Sequence, residues 1–166
     1  MKVRRREILL TANTAWYLYN FRGNLIRAII NDGYSVILLA PQDRCSIKLR
    51  ELGAQVFNIE IDQRGVSLLA DFLTLIKYIR FFRNCSPDVV VSFTVKPVIY
   101  GSLAARALGI PHINTITGLG SVYIFQKGMQ RLVSAMYGYA LRRSEVVFFQ
   151  NGSDLAIFKE KKLIRD

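Results

Sequence analysis

A chain of 166 residues is long enough to bury a core of its own and short enough to form one domain. Its 51% hydrophobic and 11% aromatic content excludes a disordered chain, and 23 Lys and Arg against 12 Asp and Glu, a net +11, point to an anionic partner: nucleic acid, an anionic membrane face or a phosphorylated substrate. Cys45 and Cys85 are far apart and His112 is the single histidine, so no disulfide framework and no metal cluster is expected, and the unpatterned thiols fit a reducing, cytosolic setting.

In chain order, the basic start MKVRRREILLTA has an apolar run too short for a signal peptide, and no run of about 18 apolar residues predicts a spanning helix. The expectation is a soluble or surface-attached cytosolic protein. Glu7 to Ala12 and Tyr34 to Ala40 predict two strands. Between them, residues 13–22 read as a loop, and Asn24 to Asp32 as a helix with Leu25, Ile26, Ile29 and Ile30 on one face, ended by Asp32-Gly33. Pro41 to Asp43 is a turn, Ser46 to Leu52 a short helix, and Ala54 to Ile61 alternates as a half-exposed strand would. Ser67 is a predicted N-cap for a long apolar helix over Leu68 to Asn84, with Asp71 near its positive end. Ser86-Pro87-Asp88 resets the chain into the strand Val89 to Val91. A helix over Val98 to Leu108, a strand over His112 to Thr115, a helix from about Gly128 to Arg143, a strand over Glu145 to Phe149 and a helix over Ser153 to Lys161 complete the chain.

Alternating strands and helices, with continuous Val, Ile and Leu runs in the strands, predict an α/β fold. It is a doubly wound parallel sheet of six or seven strands in a single Rossmann-like domain. In such sheets ligands bind beyond the carboxyl ends of the strands. The loops that matter are therefore residues 13–22, 41–45, 61–65, 92–97, 115–121 and 150–153.

The first of these lacks the GxGxxG turn that lets backbone approach a pyrophosphate, and Ala40-Pro41 supplies no acidic residue for a ribose, which disfavours an NAD-type dehydrogenase. The loop is instead aromatic (Trp16, Tyr17, Tyr19, Phe21), with amides and Arg22. It reads either as packing over the sheet end or as a wall for a sugar or an apolar tail. Lys96 stands before Pro97 at a helix start, where it reads either as a point charge for phosphate beside Thr94 or as a solvated loop lysine. Gly118 and Gly120 permit a close backbone approach or form a plain turn. His112 reads as a structural strand histidine rather than a catalytic one. The stripe Ile76, Ile79 and Phe82 reads as core. Lys77, Arg80 and Arg83, with Tyr78 and Phe81, form a basic aromatic edge, and Lys2, Arg4, Arg5, Arg6, Arg142 and Arg143 add further charge. Against anionic lipid each such residue near the surface contributes about 1 kcal/mol. No RRM, KH or helix-turn-helix signal is present, so nucleic acid is not the expected partner.

Three stretches, YNFRGNLIRAIINDGYSVILLAP, SPDVVVSFTVKPVIYGSLAARALGIPHINTITGLGSVY and VVFFQNGSDLAIF, carry a resemblance over nearly the whole chain. It resembles the N-terminal half of GT-B glycosyltransferases of the family 4 type, in particular bacterial galactosaminyltransferases that extend undecaprenyl-diphosphate-linked glycans. The TVKP and TITGLG loops, one helix apart, are the most specific part of the likeness. The resemblance implies an acceptor-binding domain facing a second Rossmann-like half that binds a nucleotide sugar as donor substrate, with no other cofactor. It implies a retaining, front-face transfer in which the leaving phosphate helps deprotonate the acceptor. It places Asn20 and Arg22 in the first loop, Thr94 and Lys96 in the second, and Thr117, Gly118 and Gly120 in the third, lining the acceptor site. Several relatives carry a His in the third loop, near where Thr117 stands here, so no catalytic residue is assigned. The sequence stops at FKEKKLIRD, near where the first half would cross over. The expectation is residues 1–166 as an acceptor-side domain, inactive alone. It would be either a truncated product or a subunit that recruits a separate donor-binding chain. The implied partners are a lipid-linked or glycan acceptor, the donor half, and the anionic inner face of a bacterial plasma membrane, where the chain would sit peripherally.

Overall fold

The structure, a computed structural model, describes residues 5–62, 67–118 and 127–164. Six strands form one sheet: β1 (Glu7–Thr11), β2 (Ser35–Leu39), β3 (Gln55–Phe57), β4 (Val89–Phe93), β5 (His112–Ile116) and β6 (Val146–Phe149). Every pairing is parallel, in the order β3-β2-β1-β4-β5-β6. The helices between them are α1 (Ala15–Asn31), α2 (Cys45–Glu51), α3 (Leu68–Cys85), α4 (Ser102–Ala107), α5 (Lys127–Leu141) and α6 (Gly152–Glu160). A π-helical turn, Pro97–Gly101, runs directly into α4.

The unbroken apolar runs of the central strands follow from burial on both faces. Consecutive side chains point to opposite sides of a sheet. Leu9, Ile37 and Leu39 therefore enter one core with Tyr78 and Phe82 of α3, Val98, Tyr137 of α5 and Phe158 of α6. Leu10, Val36 and Leu38 enter the other, with Leu18 and Ile26 of α1 and Leu49 of α2. A fully buried Leu or Phe contributes about 1.5–3 kcal/mol through its apolar area, so both faces are strongly specified. Caps fix the helix starts: Thr14, Ser67 and Asn151 accept from the amides of Tyr17, Ala70 and Asp154. Gly33, at φ +88, turns the chain out of α1 into β2.

The strand order reverses between β1 and β4: the chain winds outward from β1 to β3, and α3 carries it back to β4 on the other side of β1. Their carboxyl ends diverge into a crevice at this switch point.

Several expectations are corrected. Residues 15–22 are not a loop but the first half of α1, which starts at Ala15. The aromatic run disguised a helical spacing in which Ala15, Leu18 and Ile26 are the buried positions. The strand expected over Ala54 to Ile61 is regular only at Gln55–Phe57; beyond it the Ile59 N–H still donates to the Ala40 carbonyl, and Asn58 Oδ1 accepts the Gln42 N–H. On α3, Tyr78 is fully buried rather than part of an exposed aromatic edge. The inward line there is Asp71, Thr74, Tyr78 and Phe82, whereas Lys77, Arg80 and Arg83 stay outside. Of the basic cluster at the start, Lys2 and Arg4 lie outside the described residues.

Candidate functional site

In a doubly wound domain the first helix start beside the switch point is the usual anion cradle. Here its amides are already used. Ala15 N donates to the Pro41 carbonyl (3.1 Å), Trp16 N to Asp43 Oδ2 (2.7 Å) and Tyr17 N to Thr14 Oγ1 (2.9 Å). Asp43 places a carboxylate where a phosphate would need to sit, so the start of α1 is closed to anions.

Positive charge enters the crevice two turns later. Arg22 reaches back along α1 and donates from Nη2 to the Tyr17 hydroxyl (2.9 Å) and from Nη1 to the Phe21 carbonyl (3.1 Å). Its guanidinium carbon lies 4.6 Å from the centre of the Phe93 ring and 5.5 Å from that of Tyr17. Nε is buried without a hydrogen-bond partner, and among the described residues no carboxylate pairs with Arg22. A planar cation stacked on rings keeps its shape and orientation. Burial raises the Tyr17 pKa, an effect that Arg22 and Thr117, just past β5, partly offset. Tyr17 thus stands between Arg22 and the loop after β5.

Thr94 closes the bottom of the crevice. It holds φ at +64°, a left-handed conformation that is strained for a β-branched residue. Its hydroxyl donates to the Phe93 carbonyl and accepts the Asn13 N–H (3.1 Å), a bond that spans the switch point from β1 to β4. Two residues on, Lys96 is neither a solvated lysine nor an unpaired charge. Its Nζ lies 2.7 Å from Asp71 Oδ1, with the two side chains 15% and 9% exposed. Burial first, then the same Asp71 carboxylate, push the Tyr100 pKa upward.

The site residues read from sequence therefore divide. Arg22, Thr94 and Thr117 converge on the crevice through Tyr17, Phe93 and Asn13. Gly118, at φ +132, needs the freedom of glycine to leave β5, and Gly120 lies outside the described residues. Lys96 sits in the ion pair beside the group, and Asn20 is on an exposed face of α1, donating to the Trp16 carbonyl (2.9 Å). Tyr17 and Asp71 are the residues whose importance the sequence concealed. A tyrosine three positions after an N-capping threonine, on the face that returns to the sheet, was the available signal for the first. His112 is buried in β5 with Nδ1 3.3 Å from the Ile110 carbonyl, and burial lowers its pKa despite the nearby Ile110 and Ala140 carbonyls. This is a structural setting. Among the described residues no cluster of His, Cys, Asp and Glu is arranged to hold a metal ion. Among them, too, no helix is long and apolar enough to cross a membrane.

A six-stranded parallel sheet in this order, with its polar groups gathered at the switch point, is a Rossmann-like domain of the kind that forms half of a GT-B enzyme. The chain belongs to the glycosyl transferase 4-like family, whose model matches residues 7–151, and is thereby classed with the transferases. It is 30% identical over 145 residues to the N,N'-diacetylbacillosaminyl-diphospho-undecaprenol alpha-1,3-N-acetylgalactosaminyltransferase of Campylobacter jejuni, covering 82% of this chain and 38% of that protein. Among solved structures it is similar to a glycosyltransferase from Rickettsia africae (TM-score 0.68, 12% identity, 98% of this chain and 41% of that one). It is also similar to MurG of Acinetobacter baumannii (TM-score 0.58, 17% identity, 88% and 41%). The UDP-GlcNAc 2-epimerase of Methanocaldococcus jannaschii shares the fold as well (TM-score 0.58, 19% identity, 98% and 45%). At these identities the structures speak for the fold alone. The chain spans less than half the length of each of these proteins.

Proposed function

We propose that this chain is the acceptor side of a retaining glycosyltransferase that moves a sugar from a nucleotide sugar to a diphospho-lipid-linked glycan. The observation that carries the reading is Arg22: a guanidinium clamped on Phe93 and Tyr17 at the switch point, with no carboxylate partner among the described residues. A diphosphate supplies the charge and fork geometry that such a cation lacks. The name of the Campylobacter jejuni relative, a transferase acting on a diphospho-undecaprenol-linked sugar, agrees with that chemistry. Thr94, Thr117 and the backbone at Gly118 would contact acceptor hydroxyls, and Lys96 would add positive potential while remaining paired. In this reading the donor is held by a second Rossmann-like unit, in the same polypeptide or in a separate chain that this one recruits to its acceptor.

Trp16, Phe21 and Leu25 are exposed along α1, on the side from which a lipid tail would leave Arg22. Together with the net charge of +11 they favour a peripheral seat on an anionic membrane surface. The test is sugar transfer to an undecaprenyl-diphosphate-linked sugar, with the chain combined with a donor-binding half. Arg22→Gln should abolish most of the transfer, and undiminished transfer by that variant would defeat the reading.

A further inference from the structure

A second hollow lies away from Arg22, between the ends of β2 and β3 and the start of α3. It is a shallow, open hollow of about 410 Å³, lined by Gln42, Asn58, Glu60, Ile61, Leu73 and Lys77. A smaller hollow of about 190 Å³ adjoins it, sharing Asn58, Glu60 and Lys77 and ending on Phe81. We propose that this hollow binds a neutral pyranose of the acceptor glycan; the proposal rests on the acceptor-side reading and adds a sugar subsite to it.

The chemistry of the walls selects the ligand. Lys77 Nζ is held 2.9 Å from Glu60 Oε2, so the most basic group is already neutralised. Asp62 adds a further carboxylate to the wall, which disfavours a phosphate. What remains is a mixed set of donors and acceptors without a dominant charge. Asn58 Oδ1 accepts the Gln42 N–H at 3.1 Å, leaving the Asn58 amide hydrogens to donate, and Glu60 Oε1 is open to accept. Beside them Ile61 and Leu73 supply an apolar surface for the C–H face of a sugar ring. Hydroxyl groups that both donate and accept, carried on a ring with apolar faces, match such a wall. The position also suits an acceptor. Ala70 and Thr74 line the hollow on α3, and Asp71 between them holds Lys96 on the other side of the same turn. Gln42 follows β2 and Asn58 follows β3, so the hollow opens at the same carboxyl edge of the sheet as the Arg22 crevice.

Titration of the isotopically labelled chain with N,N'-diacetylchitobiose and, separately, with inorganic pyrophosphate tests the assignment by amide shifts. The disaccharide should move the signals of Asn58, Glu60 and Lys77, and Asn58→Ala or Glu60→Gln should weaken it at least tenfold. Pyrophosphate should move those of Arg22 and Thr117 instead. Pyrophosphate acting at Asn58 and Lys77 would overturn the assignment by making the hollow an anion site. A disaccharide that moves only residues 93–96 and 117–118, or none while pyrophosphate still acts at Arg22, would overturn the sugar subsite and leave the acceptor-side reading standing. No response to either probe would overturn both.

Discussion

Lys96 Nζ and Asp71 Oδ1 meet at 2.7 Å beneath the crevice, joining the loop after β4 to the first turn of α3. Removing one partner of a buried pair leaves an uncompensated charge at a cost of about 3–5 kcal/mol, whereas replacing both by apolar groups is far milder. Asp71→Ala should therefore lower stability by about that amount, and Asp71→Leu with Lys96→Met should recover most of it. Urea unfolding of the single and double variants measures this. Additive losses in the double variant would show that the two residues act independently.

The glycine that ends the π-helical turn after β4 has a packing cause that can be tested. A Cβ at Gly101 would lie 3.0 Å from Ser92 Oγ, and that hydroxyl is buried without a hydrogen-bond partner. Gly101 itself has an ordinary helical φ of −63°, so alanine is acceptable to the backbone and gains about 1 kcal/mol of helix propensity. Gly101→Ala alone should destabilise through the clash. In a Ser92→Ala background the same change should stabilise by about 0.5–1 kcal/mol. The same sign of effect in both backgrounds would reject Ser92 as the obstacle.

These two contacts show where the sequence was legible and where it was not. The strands at Ile8 to Leu10 and Val36 to Leu38 announce themselves because burial on both faces demands continuous apolar runs. Asp32-Gly33 and Ser86-Pro87-Asp88 mark boundaries through local backbone chemistry. The Lys96–Asp71 pair is different, because 25 residues separate its members and only the crossing of α3 over the sheet brings them together. The start of α1 was obscured for a local reason. Trp16, Tyr17, Tyr19 and Phe21 are middling helix formers, and the capping role of Thr14 is visible only once its bond to the Tyr17 amide is seen. Arg22 was legible as a candidate at the sheet edge, but its stack on Phe93 was not, since Phe93 arrives from a separate strand.

His112 makes stability depend on pH in a definite direction. Its folded pKa lies below the ordinary value of 6.5, chiefly because it is buried. The stability it permits is complete above pH 6.5 and is lost as pH falls through 6.5 toward the folded pKa. There the unfolded chain takes up the proton first, with a limiting slope of about 1.4 kcal/mol per pH unit. His112→Gln should flatten the change in urea midpoint between about pH 7.5 and 5.5. Equal slopes in the two proteins would remove His112 as the cause.

The proposed membrane seat has a built-in reporter. Trp16 is the single tryptophan of the chain and is 52% exposed, in edge contact with Phe21. Vesicles containing anionic phosphatidylglycerol should shift its emission to the blue. Purely zwitterionic vesicles, or ~0.5 M salt, should prevent the shift, since charges are screened over a few ångströms under those conditions. Emission unchanged by anionic vesicles would argue against α1 as the contact.

The central claim is that Arg22 holds the acceptor diphosphate, and calorimetric titration of the chain with an undecaprenyl-diphosphate-sugar analogue bearing a shortened lipid tests it most directly. Arg22→Gln should bind about 10- to 100-fold more weakly, the loss expected for charge-assisted hydrogen bonds, while remaining folded at the titration temperature with a cooperative urea transition. Arg22→Lys should fail to restore binding, because an ammonium keeps neither the fork nor the stack on Phe93. Equal affinity of the wild-type and Arg22→Gln chains would contradict the account.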